Sequence, residues 1–349
     1  MTYSYIFNQI FKTLNRSNKY ILFVTLIAIL LSALLEMLTI SSLIPFLNIM
    51  LSPDVIYENF KYKYLVISEE QFLNNPLGYI STIFIIVISA ATILKLLVLK
   101  LILKVTTIIG TKISATVFKN IISQSYISFT KFNTSELISV LEAKVDPMVN
   151  AIFRLLQTVT AIIITIAIIT TLLLINFWST IFFSLSFSIS YFFIFYFYKR
   201  KLTNLGNVIA TNLKSRVKIS QEAMSIFRQV KLDNLSDNFY SNFTDKDFKI
   251  RKGNEIVAYV GNFPRIVIEY IAIVLIAIGS YLLISNDIYG EDYTLTLVAS
   301  IVFGASRLLP QVQIIYQNFS QIVAFKRLYL DVIKFLSKEN FLSHNSEDS

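Results

Sequence analysis

The stretch "VTTIIGTKISATVFKNIISQSYISF" covers residues 105–129. Its apolar residues recur at spacings of three and four, the pattern of a helix with one buried face. It follows directly on an apolar run, residues 77–103, long enough to cross about 30 Å of hydrocarbon. The periodicity continues from one into the other, so the membrane span is expected to run on into the cytoplasm as one helix. From about residue 78 to residue 123 that helix is roughly 69 Å long at 1.5 Å per residue, more than twice the membrane thickness. A second stretch, "LKSRVKISQEAMSIFRQVKL" (213–232), has the same character. Each long interior segment, 104–154 and 198–265, is therefore expected to be a helical hairpin projecting about 25–40 Å below the bilayer.

Composition supports a membrane protein. The 349 residues have a mean hydropathy of +0.63, 55% hydrophobic residues and only 15% charged residues. A soluble chain carries about a quarter charged, so the surplus apolar surface faces lipid. Six spans are expected, at residues 20–51, 77–103, 155–175, 178–197, 266–284 and 293–312. The first is too long for a cleaved signal and no small-residue cleavage site follows it.

With the N-terminus in the cytoplasm, the outer loops are 52–76, 176–177 and 285–292. They hold only Lys61 and Lys63, against Asp54, Glu58, Glu69, Glu70, Asp287, Glu291 and Asp292; the other 29 of the 31 basic residues lie inside or within the spans. This asymmetry sets the orientation, with both termini cytoplasmic. The net charge of +9 is thus a signature of topology, and a nucleic-acid partner is excluded. Cysteine is absent and the one histidine, His344, lies in the polar tail 336–349. Neither a thiolate or imidazole metal site nor Ser-His-Asp chemistry has the residues it needs. The Ile-, Asn- and Lys-rich usage fits a low-GC bacterium, and the expected location is its cytoplasmic membrane.

At the hairpin tips the pattern breaks. "SYISFTKFNTSELIS" (125–139) contains Thr134, Ser135 and Glu136, a helix restart with a cap. "KLDNLSDNFYSNF" (231–243) interleaves Leu232, Leu235, Phe239 and Tyr240 with Asn and Asp. Each tip is either a solvated turn or a docking element for a partner.

Six ionisable residues fall within the expected spans or at their edge: Glu36, Lys95, Lys100, Arg265, Glu269 and Arg307. An ionised group at the bilayer centre costs roughly 2.5–3.5 kcal/mol on insertion scales. In "NFPRIVIEY" (262–270), Pro264 fits the first turn of a helix. Arg265 and Glu269 stand at i and i+4 and can neutralise one another, and Lys95 and Lys100 can snorkel. The functional alternative is that Arg307, Arg265 and Lys95, with Glu269, line a cavity. Arg307 is the strongest candidate, having no acidic partner within a helical turn of its own helix.

Six spans, small outer loops and two long inner hairpins resemble the transmembrane domain of ABC exporters. "SYISFTKFNTSELISVLEAKVD" (125–146) and "SQEAMSIFRQVKLDNLSDNF" (220–239) are similar to that family's two hairpin tips. "NFPRIVIEYIAI" (262–273) and "FGASRLLPQVQIIYQNFSQIVAFKRL" (303–328) are similar to the branch that moves lipid-linked oligosaccharides and polysaccharide precursors. The resemblance implies a transmembrane domain over residues 1–335 and a domain-swapped dimer, homo- or heteromeric. It implies coupling helices near 128–134 (Ser128, Phe129, Thr130, Lys131, Phe132) and 234–240 (Asn234, Leu235, Phe239, Tyr240). It also implies an interfacial helix in the first outer loop, from "IYENFKYKYLVI" (56–67) or "EEQFLNNPLGYI" (69–80).

One departure is sharp. All eight glycines are isolated and no G-x-x-x-x-G-K-[ST] phosphate loop occurs. The chain is therefore expected to be a transport component and not an enzyme. It binds no cofactor of its own, ATP and Mg being held by a separate ABC ATPase subunit. Two other functions stay open: a non-transporting membrane protein that has lost its ATPase, and an ion-coupled secondary transporter, against which the absence of inverted repeats counts.

Overall fold

The computed structural model describes residues 16–51, 76–130, 132, 134–175, 177–285 and 291–336. Every element among them is helical. The long helices are α1 (Arg16–Leu51), α2 (Pro76–Ile122), α5 (Val145–Ile175), α6 (Phe177–Ser225), α8 (Ser236–Ser285) and α9 (Glu291–Ala324). Short helices α3 (Tyr126–Thr130), α4 (Thr134–Ser139) and α7 (Phe227–Leu232) lie at the hairpin tips, and α10 (Lys326–Leu336) closes the chain. A π-helical turn, Val140–Lys144, joins α4 to α5.

Five of the described helical stretches are long and apolar enough to cross a membrane. The expected sixth span, 293–312, falls in α9, where the side chains of 291–298 lie outside the described residues. The expected interfacial segment at 56–67 lies outside them too, as does the loop part of 69–80, and so does the tail 337–349. Helix α2 runs 47 residues without a break, about 70 Å, which is the continuous span-to-hairpin helix that the periodicity predicts. In α6 and α8 the same continuity holds over 49 and 50 residues.

Packing sorts the helices into pairs: α1 lies on α2, α6 on α8, and α9 on both α5 and α8. Inside the membrane Ile40, Ile164, Ile168, Phe187, Ile268 and Leu308 make one core, drawn from α1, α5, α6, α8 and α9. Below it, Val105, Ile109, Ile113, Val117, Val140 and Met148 meet Leu328, Val332 and Phe335 of α10. This amphipathic helix seals the first hairpin. Asn120 of α2 donates from Nδ2 to the carbonyls of Phe335 (2.9 Å) and Leu336 (3.3 Å), satisfying C-terminal groups that the helix itself leaves without donors. Lys144, buried in the π turn, reaches Asp331 of α10 at 2.6 Å.

Glycines stand where helices cross. A Cβ on Gly206 of α6 would strike the Ala324 carbonyl of α9, one on Gly110 would meet Val149, and one on Gly304 would meet Leu172. Small residues let membrane helices approach closely, which is the use these isolated glycines serve.

The structure corrects the expectation for Pro264. It does not begin a helix but lies in the interior of α8, twenty-eight residues in. Proline has no N–H to offer the carbonyl four residues back, Val260, and its ring crowds that carbonyl. Helix α9 compensates. Tyr316 donates its hydroxyl to the Val260 oxygen at 3.2 Å, and Gln313 Nε2 donates to the Gly261 oxygen at 2.9 Å. Gln313 Oε1 in turn accepts from Tyr191 of α6 at 3.0 Å. The proline thus ties three membrane helices together.

Candidate functional site

Helix α1 is apolar on all sides, so its hydrophobic pattern cannot say which face meets protein. Its polar residues can. Thr25, Ser32, Glu36 and Thr39 recur at helical spacing among Ile29, Ala33, Ile40 and Leu43, and all of them are buried. An ionisable group within a span turns to the bundle interior, and Glu36 fixes which face of α1 that is.

Glu36 lies at the centre of this stripe, its side chain only 2% exposed. Two cations from other helices converge on it. Lys95 of α2 brings Nζ to 2.5 Å from Oε2, and Arg307 of α9 brings Nη1 to 4.0 Å from Oε1. The two contacts differ in kind. Lys95 is in direct ionic contact, whereas Arg307 is held loosely. The guanidinium of Arg307 lies over the Phe303 ring, 5.1 Å from its centroid, and its side chain is one-third exposed. Three helices therefore deliver two positive charges and one negative charge to a single point, leaving a net cation whose fork is open. A guanidinium fork suits phosphate or pyrophosphate oxygens.

Arg307 and Lys95, predicted separately, are brought together by Glu36. The expectation that Arg307 lacks an acidic partner holds within α9 and fails across helices. Lys95 does not snorkel as a free cation, because Glu36 pairs with it. Lys100, one turn on, is exposed.

Arg265 and Glu269 lie elsewhere. Arg265 Nε and Glu269 Oε2 are 4.0 Å apart, and their side chains are 63% and 56% exposed. They share an outward face of α8 with Ile266, Tyr270 and Ile273, each exposed as well. Their pairing is loose.

Arg154 is a functional candidate that sequence inspection passed over. It stands in α5 one residue before the expected span 155–175, and its Nη1 donates to Asn318 Oδ1 of α9 at 3.2 Å. Asn318 is buried and its Nδ2 has no partner. The signal was the spacing from Arg307: eleven residues separate it from Asn318, three helical turns, so the two share one face of α9.

The tips are placed as follows. Ser128, Phe129 and Thr130 fall in α3, with Phe129 exposed beside Tyr126 and Ile127. Lys131 lies outside the described residues, and Phe132 faces inward, 5.8 Å from the Phe335 ring. Helix α4 restarts at Thr134, where the sequence places the restart. At the second tip the short helix is Phe227–Leu232 and not 234–240. Asn234 takes the left-handed conformation, φ 54°, which asparagine tolerates where a helix ends. The Leu235 N–H donates to the Val230 carbonyl at 3.0 Å, closing that end. Phe239 and Tyr240 already belong to the first turns of α8. Around the tip Met224, Phe227, Leu232 and Tyr240 are all exposed.

Residues 2–306 match the sequence model of the ABC transporter transmembrane region.

Proposed function

The chain belongs to the ABC transporter transmembrane family, and from that premise we propose that it is the membrane-spanning subunit of an ATP-driven exporter or flippase. Its cargo in this proposal is an amphipathic anion of the lipid-linked glycan class. The supporting observation is the half-open Arg307 at a site of net positive charge within the bundle. A lipid-linked sugar carries its charge in a phosphate or pyrophosphate that must cross hydrocarbon. A cation at that depth lowers the electrostatic barrier to the crossing.

The chain itself is proposed to hydrolyse nothing. ATP and Mg are bound by a separate ABC ATPase that docks on the tips around α3 and α7, where exposed aromatic and aliphatic side chains supply an apolar contact. A second transmembrane copy, identical or homologous, covers the outward face of α8. Arg265 and Glu269 then line a wet cavity between copies instead of facing lipid. The setting is a bacterial cytoplasmic membrane with both termini inside, and the tips lie on the side where ATP is found.

The test is reconstitution with an ABC ATPase subunit captured by the purified chain. A polyprenyl pyrophosphate is expected to stimulate ATP hydrolysis and the uncharged polyprenol is not. Arg307→Ala should lower the stimulated rate about tenfold, the equivalent of losing roughly 1.4 kcal/mol at one charged contact. Unchanged stimulation in Arg307→Ala would remove Arg307 from the substrate path. Failure to capture any ABC ATPase would count against the transporter function itself.

A further inference from the structure

We propose that Glu36 is an internal competitor for Arg307: it occupies the guanidinium in the empty site and gives it up when the phosphate of an incoming lipid arrives. The inference rests on the anionic-cargo proposal and adds a specificity-determining residue to it. It is carried by the asymmetry of the triad. Glu36 is buried on the interior stripe of α1 and cannot be left without a cation, because an unpaired buried carboxylate is strongly destabilising. Lys95 supplies that cation, with Nζ 2.5 Å from Oε2. Arg307 adds little to it, being at the 4.0 Å limit of an ion pair, and its exposed side is free.

An anion that approaches this open side meets a cation already weakly engaged. Binding lengthens the Arg307–Glu36 contact and leaves the Glu36–Lys95 pair intact, so the carboxylate is never stranded. Release reverses the exchange. Glu36 therefore weakens anion binding and hastens anion departure. A transporter has use for both effects, since a cargo held by an uncompensated arginine in low dielectric would leave slowly. The same carboxylate rejects ligands without a strong anion, which cannot compete for the guanidinium.

The arrangement predicts the direction of a binding change that a structural role does not. The full-length chain in nanodiscs of phosphatidylcholine is titrated with a fluorescent polyprenyl phosphate and, separately, with the uncharged polyprenol. In Glu36→Gln the phosphate should bind about five- to tenfold more tightly than in the parent, mostly through slower dissociation, as loss of a charge repelling the ligand implies. Polyprenol binding should not move.

Because Glu36→Gln leaves Lys95 without its partner, the double variant Glu36→Gln/Lys95→Gln is measured beside it. That variant keeps the parent's net charge at the site and still frees Arg307, so it too should bind the phosphate more tightly than the parent. Glu36→Asp should return the parent's affinity. Phosphate affinity that is unchanged or weaker in whichever of the two glutamine variants folds overturns the exchange. If the parent chain itself binds phosphate and polyprenol alike, the anionic-cargo proposal fails, and the role of Glu36 fails with it.

Discussion

At the residue scale, the decisive positions are those whose partners lie on other helices. Pro264 shows why. In sequence it marks the edge of an apolar run, where a first-turn proline is harmless. In the folded chain it sits inside α8 and frees a carbonyl that Tyr316 of α9 serves. Leaving a buried carbonyl without a donor costs about 1–3 kcal/mol, so Tyr316→Phe should destabilise the chain by an amount in that range. In the Pro264→Ala background residue 264 supplies its own N–H to Val260, and Tyr316→Phe should then cost less than about 1 kcal/mol, the net worth of a typical hydrogen bond. Denaturation of the four proteins in one detergent gives the double-mutant coupling. Equal losses in both backgrounds would mean that the hydroxyl does not stand in for the missing N–H.

The same limit explains what was legible in the charged site. Arg307 and Lys95 were visible because each is a costly residue in an apolar run. Their meeting at Glu36 was not, since three helices far apart in sequence create it. The polar stripe on α1 was the available clue, because Thr25, Ser32, Glu36 and Thr39 repeat at helical spacing while the apolar residues around them do not.

At the scale of elements, length was readable and termination less so. Unbroken periodicity foretold α2 as a helix more than twice the thickness of a bilayer and the run of membrane helices into the second hairpin, which α6 and α8 make. The run Thr134-Ser135-Glu136 announced the restart of α4, which begins at Thr134. The second tip went differently. Its helix break falls after Ser225, where no Gly, Pro or Asn stands, and the Asn and Asp residues that drew attention lie about two turns later. A break that tertiary position dictates leaves no local mark. Helix crossings leave one that is easily misjudged. Glycine inside a helix is about 1 kcal/mol worse than alanine, so propensity alone ranks both Gly206→Ala and Gly253→Ala as stabilising. The structure separates them. At Gly206 the new methyl collides with the backbone carbonyl of Ala324, which cannot move aside, whereas at Gly253 it meets the Ile209 Cγ1 at 2.7 Å, a buried side chain that gives way only by repacking. Gly206→Ala should lower the melting temperature and open the α6–α9 contact. Gly253→Ala should lower it by less, because a side chain and not the backbone has to shift. Thermal melts of the two purified variants against the parent decide the matter, and equal behaviour would contradict the close α6–α9 approach.

At the scale of the whole molecule, orientation follows from where the lysines and arginines are, and it has a consequence that can be measured with single cysteines. The chain contains none, so every introduced thiol reports alone. Trp178 begins α6 at the join to α5 and is 80% exposed, while Met224 near the end of the same helix is 78% exposed. Forty-six residues of one continuous helix separate them, about 69 Å. A hydrocarbon core of about 30 Å lies between them, so they emerge on opposite sides. The basic residues crowd around Met224, with Lys214, Arg216, Lys218, Arg228 and Lys231, the charge pattern expected of a cytoplasmic end. A membrane-impermeant maleimide should therefore modify Trp178→Cys in right-side-out vesicles and Met224→Cys only in inverted ones. The reverse pattern would turn the protein over and put the proposed ATPase docking tips on the side without ATP. Labelling of both positions from one side would break the continuity of α6 through the membrane, and with it the projection of the second hairpin.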